Sequence, residues 1–193
     1  MLMQWHSIVQ QQTPKPVVAW LSLDEADADP NRFLAYLILA LDHAGIALAH
    51  LPRLAASQAL DVQPQRTILA LLRALAEEDR AITLLLDDYH LVASPEVDSL
   101  LCALVEQAAP WLHWVVASRT RPDWPLSRWK AKGWMHEISA RELILSLSEV
   151  RGILGEAVDE HDVCRVHIAT EGWAVAVQLA RLGAQALMAQ CMA

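Results

Sequence analysis

Hydrophobic and polar positions along the chain follow two kinds of pattern, and the two alternate. The first is a short, continuous apolar run. Ala81-Ile82-Thr83-Leu84-Leu85-Leu86 ends abruptly in Asp87-Asp88, and Val17 to Leu23 and His113 to Ala117 have the same character. A strand covered on both faces of a parallel sheet reads this way, because neither side of it meets water. The second pattern is a stripe at helical spacing. Phe33, Leu34, Leu37, Ile38 and Leu41 predict a helix from Asn31 to about His43, with Pro30 and acids ahead of it and Gly45 as its stop. Ile68, Leu69, Leu72 and Leu75 predict a second. Ser94-Pro95-Glu96 reads as a cap, a proline at the first helical position and an acid in the first turn. The helix it opens is expected to run to about Ala109 and to stop at Pro110. Met135-His136-Glu137-Ile138 is expected to form a last, short strand.

From Ser146 onward only helical patterns remain. Ser148-Glu149-Val150 reads as a capped start, Gly155 interrupts, a second helix spans about Glu160 to Thr170, and a third runs from Trp173 to about Met188. Strands alternating with helices, followed by helices alone, imply an α/β fold. Its three-layer parallel sheet would occupy residues 1–145 and a small helical segment residues 146–193. Thr13-Pro14-Lys15-Pro16 sets a short N-terminal segment apart, and residues 46–61, interrupted by Pro52, carry no clear pattern.

Composition narrows the class. Hydrophobic residues make up 54% of 193, enough for a packed core, yet no apolar run approaches the ~20 residues of a membrane span. No basic segment followed by a long apolar stretch opens the chain, and Cys102, Cys164 and Cys191 are odd in number and widely spaced. A cytoplasmic globular protein is expected, with no membrane partner. The formal net charge of −8 argues against direct DNA binding, which calls for a basic surface. Five of the eight Trp lie between Trp111 and Trp134, interleaved with Arg119, Arg121, Arg128, Lys130 and Lys132. A stacking platform for single-stranded nucleic acid is one reading of that stretch, and Trp in core and lid positions is the other; the acidic balance elsewhere favours the second.

Candidate chemistry gathers at strand ends. Asp87 and Asp88 would lie on the carboxyl rim, where open α/β sheets bind their ligands. Asp-Asp is also good turn chemistry after a buried strand. Ser118 and Arg119 follow the third apolar run. A cation there can sense a phosphate or pair with Asp87 or Asp88. His161, Cys164 and His167 share a broad helical face, but their spacing matches none of the common zinc patterns. His90, next to the acids, reads as a structural residue of the turn rather than a general base.

Several blocks, in order, resemble one family. Trp20-Leu21-Ser22-Leu23-Asp24-Glu25 with Asp29-Pro30-Asn31-Arg32-Phe33-Leu34-Ala35-Tyr36-Leu37, then Leu84-Leu85-Leu86-Asp87-Asp88-Tyr89-His90, are similar to strands and helices of the MalT-like ATPases. So are Val115-Val116-Ala117-Ser118-Arg119, the stretch Glu137 to Val150, and Thr170-Glu171-Gly172-Trp173-Ala174. That family belongs to the STAND class of signal-transduction NTPases and includes large ATP-dependent LuxR-type transcriptional regulators. The resemblance implies a P-loop NTPase fold, Asp87 and Asp88 as Walker B acids with Asp87 on Mg²⁺, and Ser118 and Arg119 facing the γ-phosphate. It implies ATP or ADP as ligand, and self-association or a full-length homologue as partner. Its winged-helix segment would begin near Ser146.

Departures bear on activity. The family carries a Gly-x-Gly-Lys-Thr-Thr loop ahead of a helix ending in a pair like Gln4-Trp5, and no glycine precedes Gly45 here. A truncated core lacking its first strand and Walker A is therefore expected, with ATP binding and hydrolysis lost or weak, because phosphate cradling needs successive backbone N–H groups and a lysine. Ala26-Asp27-Ala28 stands where the family has Asp-Asn, and Lys130 stands in place of an arginine. The alternatives to a weakened ATPase core are a nucleotide-independent interaction module and a decayed gene fragment.

Overall fold

The run Ile82–Asp87 forms β2, the middle strand of a three-stranded sheet in the computed structural model, which describes residues 16–48, 64–78 and 80–191 together with Ile8, Gln11 and Leu51. The Gln4-Trp5 pair, Thr13-Pro14-Lys15 and most of residues 46–61 lie outside the described residues. Val17–Ser22 is β1 and Leu112–Val116 is β3, and both pair with β2 in parallel. Register runs from Val17 opposite Ile82 to Ser22 opposite Asp87 on one side, and from Ile82 opposite Leu112 to Leu86 opposite Val116 on the other. Ile82, Leu84, Leu85 and Leu86 are fully buried. The continuous run is thus explained by cover on both faces, and the parallel α/β class by two parallel ladders.

Helices close the layers. Pro30–His43 (α1) is opened by Asp29, whose carboxylate accepts the N–H groups of Asn31 and Arg32, and it buries Phe33, Leu34, Leu37 and Leu41. Gly45 follows it at φ +91°, the left-handed conformation that stops a helix at least cost in glycine. Pro64–Ala76 (α2) buries Ile68, Leu71 and Leu75. Pro95–Gln107 (α3) begins as the sequence indicates: Ser94 Oγ accepts the Val97 N–H at 3.2 Å, and Pro95 occupies the first turn. It ends at Gln107, where Ala108 turns extended, slightly before the expected Ala109.

The chain divides into two compact units, residues 1–125 and 126–193. In the second, Leu126–Ala131 is a short helix, α4. Residues 134–139, which include the expected strand at Met135–Ile138, form no strand. The apolar residue that would have joined a ladder there, Ile138, is 62% exposed, and an extended segment without a pairing neighbour is not a strand. The remaining helices are α5 (Leu147–Leu154), α6 (Glu160–Thr170) and α7 (Ala174–Cys191). The cap of α5 is Ser146, not Ser148: Ser146 Oγ and the Glu149 side chain reciprocate across the first turn, which requires a serine three residues before the glutamate.

The Thr170-Glu171-Gly172-Trp173 block is a turn with a tight neighbour. Leu145 donates its N–H to the Gly172 carbonyl at 2.9 Å, and its own carbonyl lies 2.9 Å from His167 Nε2. At φ +71°, with Ile144 Cγ2 and Leu145 O each 2.7 Å from where a Cβ would stand, position 172 admits only glycine. No helix among the described residues is long and apolar enough to cross a membrane.

Candidate functional site

Because β1, β2 and β3 run in parallel, their carboxyl ends share one rim, and that rim carries the candidate residues. Asp87 ends β2, with its side chain half-buried. One carboxylate oxygen accepts the Asp88 N–H at 3.0 Å, and the Asp87 carbonyl accepts the Leu23 N–H at 3.1 Å, which ties β1 to the same corner. Asp88 then turns left-handed, at φ 56° and ψ 37°. That conformation costs an L-residue about 1 kcal/mol and is tolerated best by Asp and Asn. Its side chain is left 48% exposed at the rim.

The next residue bolts the acid turn to β3. Tyr89 donates its N–H to the Ala117 carbonyl, and Ala117 donates to the Leu86 carbonyl, each at 2.9 Å. Ser118 and Arg119 continue from that point. The Ser118 hydroxyl donates to the Thr120 carbonyl at 2.6 Å, so it folds a turn and holds the residue after it outward. Arg119 is exposed and, among the described residues, makes no hydrogen bond or ion pair. The salt bridge to Asp87 or Asp88 that the sequence left open is not formed.

His90 sits beneath the acids. Its Nδ1 is buried, has no hydrogen-bond partner among the described residues and lies 3.9 Å from Asp88 Oδ1, beyond hydrogen-bond length. Lys130, in the second unit, pairs with Glu137. His167 is spent on the Leu145 carbonyl, while His161 is well exposed. Among the described residues no three acid, His or Cys side chains converge as a metal-holding group.

Three residues the sequence did not single out individually lie just behind the rim. Tyr89, fully buried, donates its hydroxyl to Asp98 Oδ1 at 2.6 Å, and Trp124 donates its indole N–H to the same oxygen at 2.7 Å. The two rings meet edge-on with centroids 4.9 Å apart. Burial first, and then the bond donated to Asp98, push the Tyr89 phenol far above the ordinary phenol range, so it is a donor at any physiological pH. Only Trp124, caught between Pro122 and Pro125, hinted at a held loop. Asp27, where the resemblance departs from its family, is buried. It accepts the Arg32 Nε–H at 2.9 Å and the Asp24 N–H at 3.1 Å, and the first of these bonds is the main reason the Arg32 guanidinium holds its charge more firmly than usual. A cleft beside β1, lined by Val18, Trp20, Tyr36, Leu39 and His43, is apolar and contains none of the rim acids.

No family model matches the chain. Among curated proteins it is similar to regulators named HTH-type transcriptional regulator MalT. Over 187 residues it is 29% identical to the protein of Cronobacter sakazakii and 28% identical to that of Serratia proteamaculans. The match to the Klebsiella pneumoniae protein is 29% over the same length. Each alignment covers 92% of this chain and 20% of the relative, so the chain spans about one fifth of the length of the curated relatives it matches.

Proposed function

Since the chain is MalT-like, sharing ancestry over nearly its whole length with one segment of those transcriptional regulators, we propose that it is the acid-and-sensor part of a nucleotide-dependent signalling core. Asp87 is the magnesium-side acid, Asp88 orients the attacking water, and Ser118 and Arg119 answer to the γ-phosphate of ATP. The observation that supports this reading is the rim itself: two adjacent parallel strands run out at the same edge of the sheet, one into Asp87 and Asp88 and the other into Ser118 and an exposed Arg119. The donor set suits Mg²⁺, a hard cation that takes oxygen ligands and keeps several waters. One Asp87 oxygen is engaged by the Asp88 N–H, and the half-exposed carboxylate of Asp88 stands beside it.

These 193 residues hold no glycine before Gly45, hence no Gly-rich phosphate loop ahead of the rim acids. Two carboxylates facing a triphosphate repel it unless a cation bridges them and other groups hold the phosphates. This polypeptide alone therefore binds ATP or ADP weakly and hydrolyses little. Calorimetric titration of the purified chain with ATP and with ADP, each with and without Mg²⁺, tests both halves. Weak, Mg²⁺-dependent binding that disappears in Asp87→Ala supports the assignment. Micromolar binding would overturn the weakness, and binding indifferent to Mg²⁺ and to Asp87→Ala would overturn the site.

A second reading draws on β3. That strand is an edge among the described strands, and Trp114, Val115 and Val116 are only partly buried. Uncovered apolar edges pair with other chains. Self-association, or docking on a full-length homologue without nucleotide, is the corresponding partner reading. Sedimentation equilibrium of the chain with and without Mg²⁺-ATP separates the two, since only a nucleotide-driven switch changes mass on adding ligand.

A further inference from the structure

The segment between β3 and α4 is a strap with two anchors. At its start, the Ala117 peptide is bonded on both sides, to Leu86 and to Tyr89, and Ser118 Oγ closes a turn onto Thr120. At its far end, Pro125 restricts the backbone of Trp124, whose indole N–H is bonded to Asp98. Arg119 rides between the anchors. Asp98 belongs to the first turn of α3, where the positive end of the helix dipole favours a carboxylate. One oxygen of that carboxylate receives both Tyr89, which directly follows the acid turn, and Trp124, which ends the strap.

We infer that Asp98 is a positioning residue: with Tyr89 and Trp124 it forms a clasp that sets where Arg119 stands relative to Asp87 and Asp88. Two charge-assisted bonds converge on one acceptor, so loss of either loosens the other's partner as well. The edge-on ring contact is what a shared acceptor imposes, since both donors approach one oxygen from different sides. Without the clasp the strap loses the bond that holds its far end to α3, and Arg119 samples more positions. The functional consequence rests on the γ-phosphate reading of Arg119, whereas the clasp itself is measurable without nucleotide.

Trp124→Phe and Tyr89→Phe keep the rings and remove one donor each. Hydrogen exchange at residues 118–124 should rise by about tenfold or more in each, the loss expected for one bond to a charged acceptor. Trypsin cleavage after Arg119 should accelerate in parallel; the bond after Arg121 is protected by Pro122. The Trp124 indole proton resonance should shift in Tyr89→Phe, which removes the second donor on its acceptor. Asp98→Asn, which keeps an oxygen acceptor but removes its charge, should fall between the parent chain and Asp98→Ala in exchange and cleavage. Should Asp98→Ala fail to fold, the two Phe variants decide. Unchanged exchange and cleavage in both Phe variants would overturn the clasp. A loosened strap in a chain whose Mg²⁺-ATP titration shows no dependence on Arg119 leaves the clasp standing and removes the nucleotide reading. Arg119-dependent binding with an unmoved strap does the reverse.

Discussion

The two compact units bury apolar surface by different means. In residues 1–125 one cluster gathers β1, β2, α1, α2 and α3 around the fully buried Leu84 and Leu86, with Phe33, Leu34, Leu37, Leu41, Leu71 and Leu101 also fully covered. In residues 126–193 the corresponding cluster is three valines, Val150, Val163 and Val177, with Leu145, Ile153, Leu154, Val158 and Val166 around them. A sheet gives several helices one broad apolar surface to pack on, whereas three helices without a sheet share a narrow seam. The first unit therefore rests on its core. The second leans on a few individual devices: the Ser146–Glu149 capping box, and two links that tie Leu145 to the turn after α6, the Gly172 contact and the His167–Leu145 bond.

That contrast can be broken from either side. The largest effect is expected at the centre of the first unit. Leu84→Ala removes a fully buried side chain from β2 and should destabilise residues 1–125 by about 2–5 kcal/mol, read by urea unfolding of the variant against the parent chain. If the loss were below 1 kcal/mol, β2 would not be the organising strand. Next comes Gly172→Ala. The new Cβ meets Ile144 and Leu145 in a backbone conformation alanine avoids, for a cost of about 1–3 kcal/mol confined to the second unit. Faster exchange of the Leu145 amide, with the β2 amides unchanged, is the expected pattern. Uniform change across the chain would contradict the separation into two kinds of stability.

The smallest effect is a pH dependence. Backbone and hydroxyl donors of Ser146 hold the Glu149 carboxyl below its ordinary range, and Ser139 does the same for Glu142. A depressed folded value means these carboxylates contribute stability above the unfolded carboxylate range, and that the contribution fades as pH falls through their lowered values. Helicity of the second unit should therefore slip on acidification in the parent chain. The Glu149→Gln variant, whose side chain does not titrate, should lose the part of that slope due to Glu149. Identical acid profiles in the two would remove the capping box from the account of this unit.

Much of the fold was readable because its signals are local. Three contiguous apolar runs are three parallel strands, and the middle one, buried on both faces, leaves no polar alternation to find. Ser94-Pro95 announced α3 through atoms three residues apart. The misreadings were also local. Ser148 and Ser146 are both capping residues by type, and only the three-residue interval to Glu149 separates them. Met135–Ile138 has strand-like composition, but a strand exists only where a neighbour accepts its hydrogen bonds. The rim residues Asp87, Asp88, Ser118 and Arg119 were named from strand ends, and the structure sets both pairs at the same edge of the sheet.

By itself, then, the sequence determined where most of the strands and helices lie, that the sheet is parallel with its central strand covered on both faces, and that two acids close that strand. Those features depend on neighbours within a few residues or on the average burial of a run. Tertiary structure alone decided the rest: that Arg119 stays clear of Asp87 and Asp88, that Asp98 gathers Tyr89 and Trp124 from 9 and 26 residues away, and that position 172 is closed to any side chain. Each of these depends on how segments apart in the chain are set against one another. Such contacts arise from the three-dimensional packing of elements, and no periodicity along the sequence encodes which oxygen two remote donors will share.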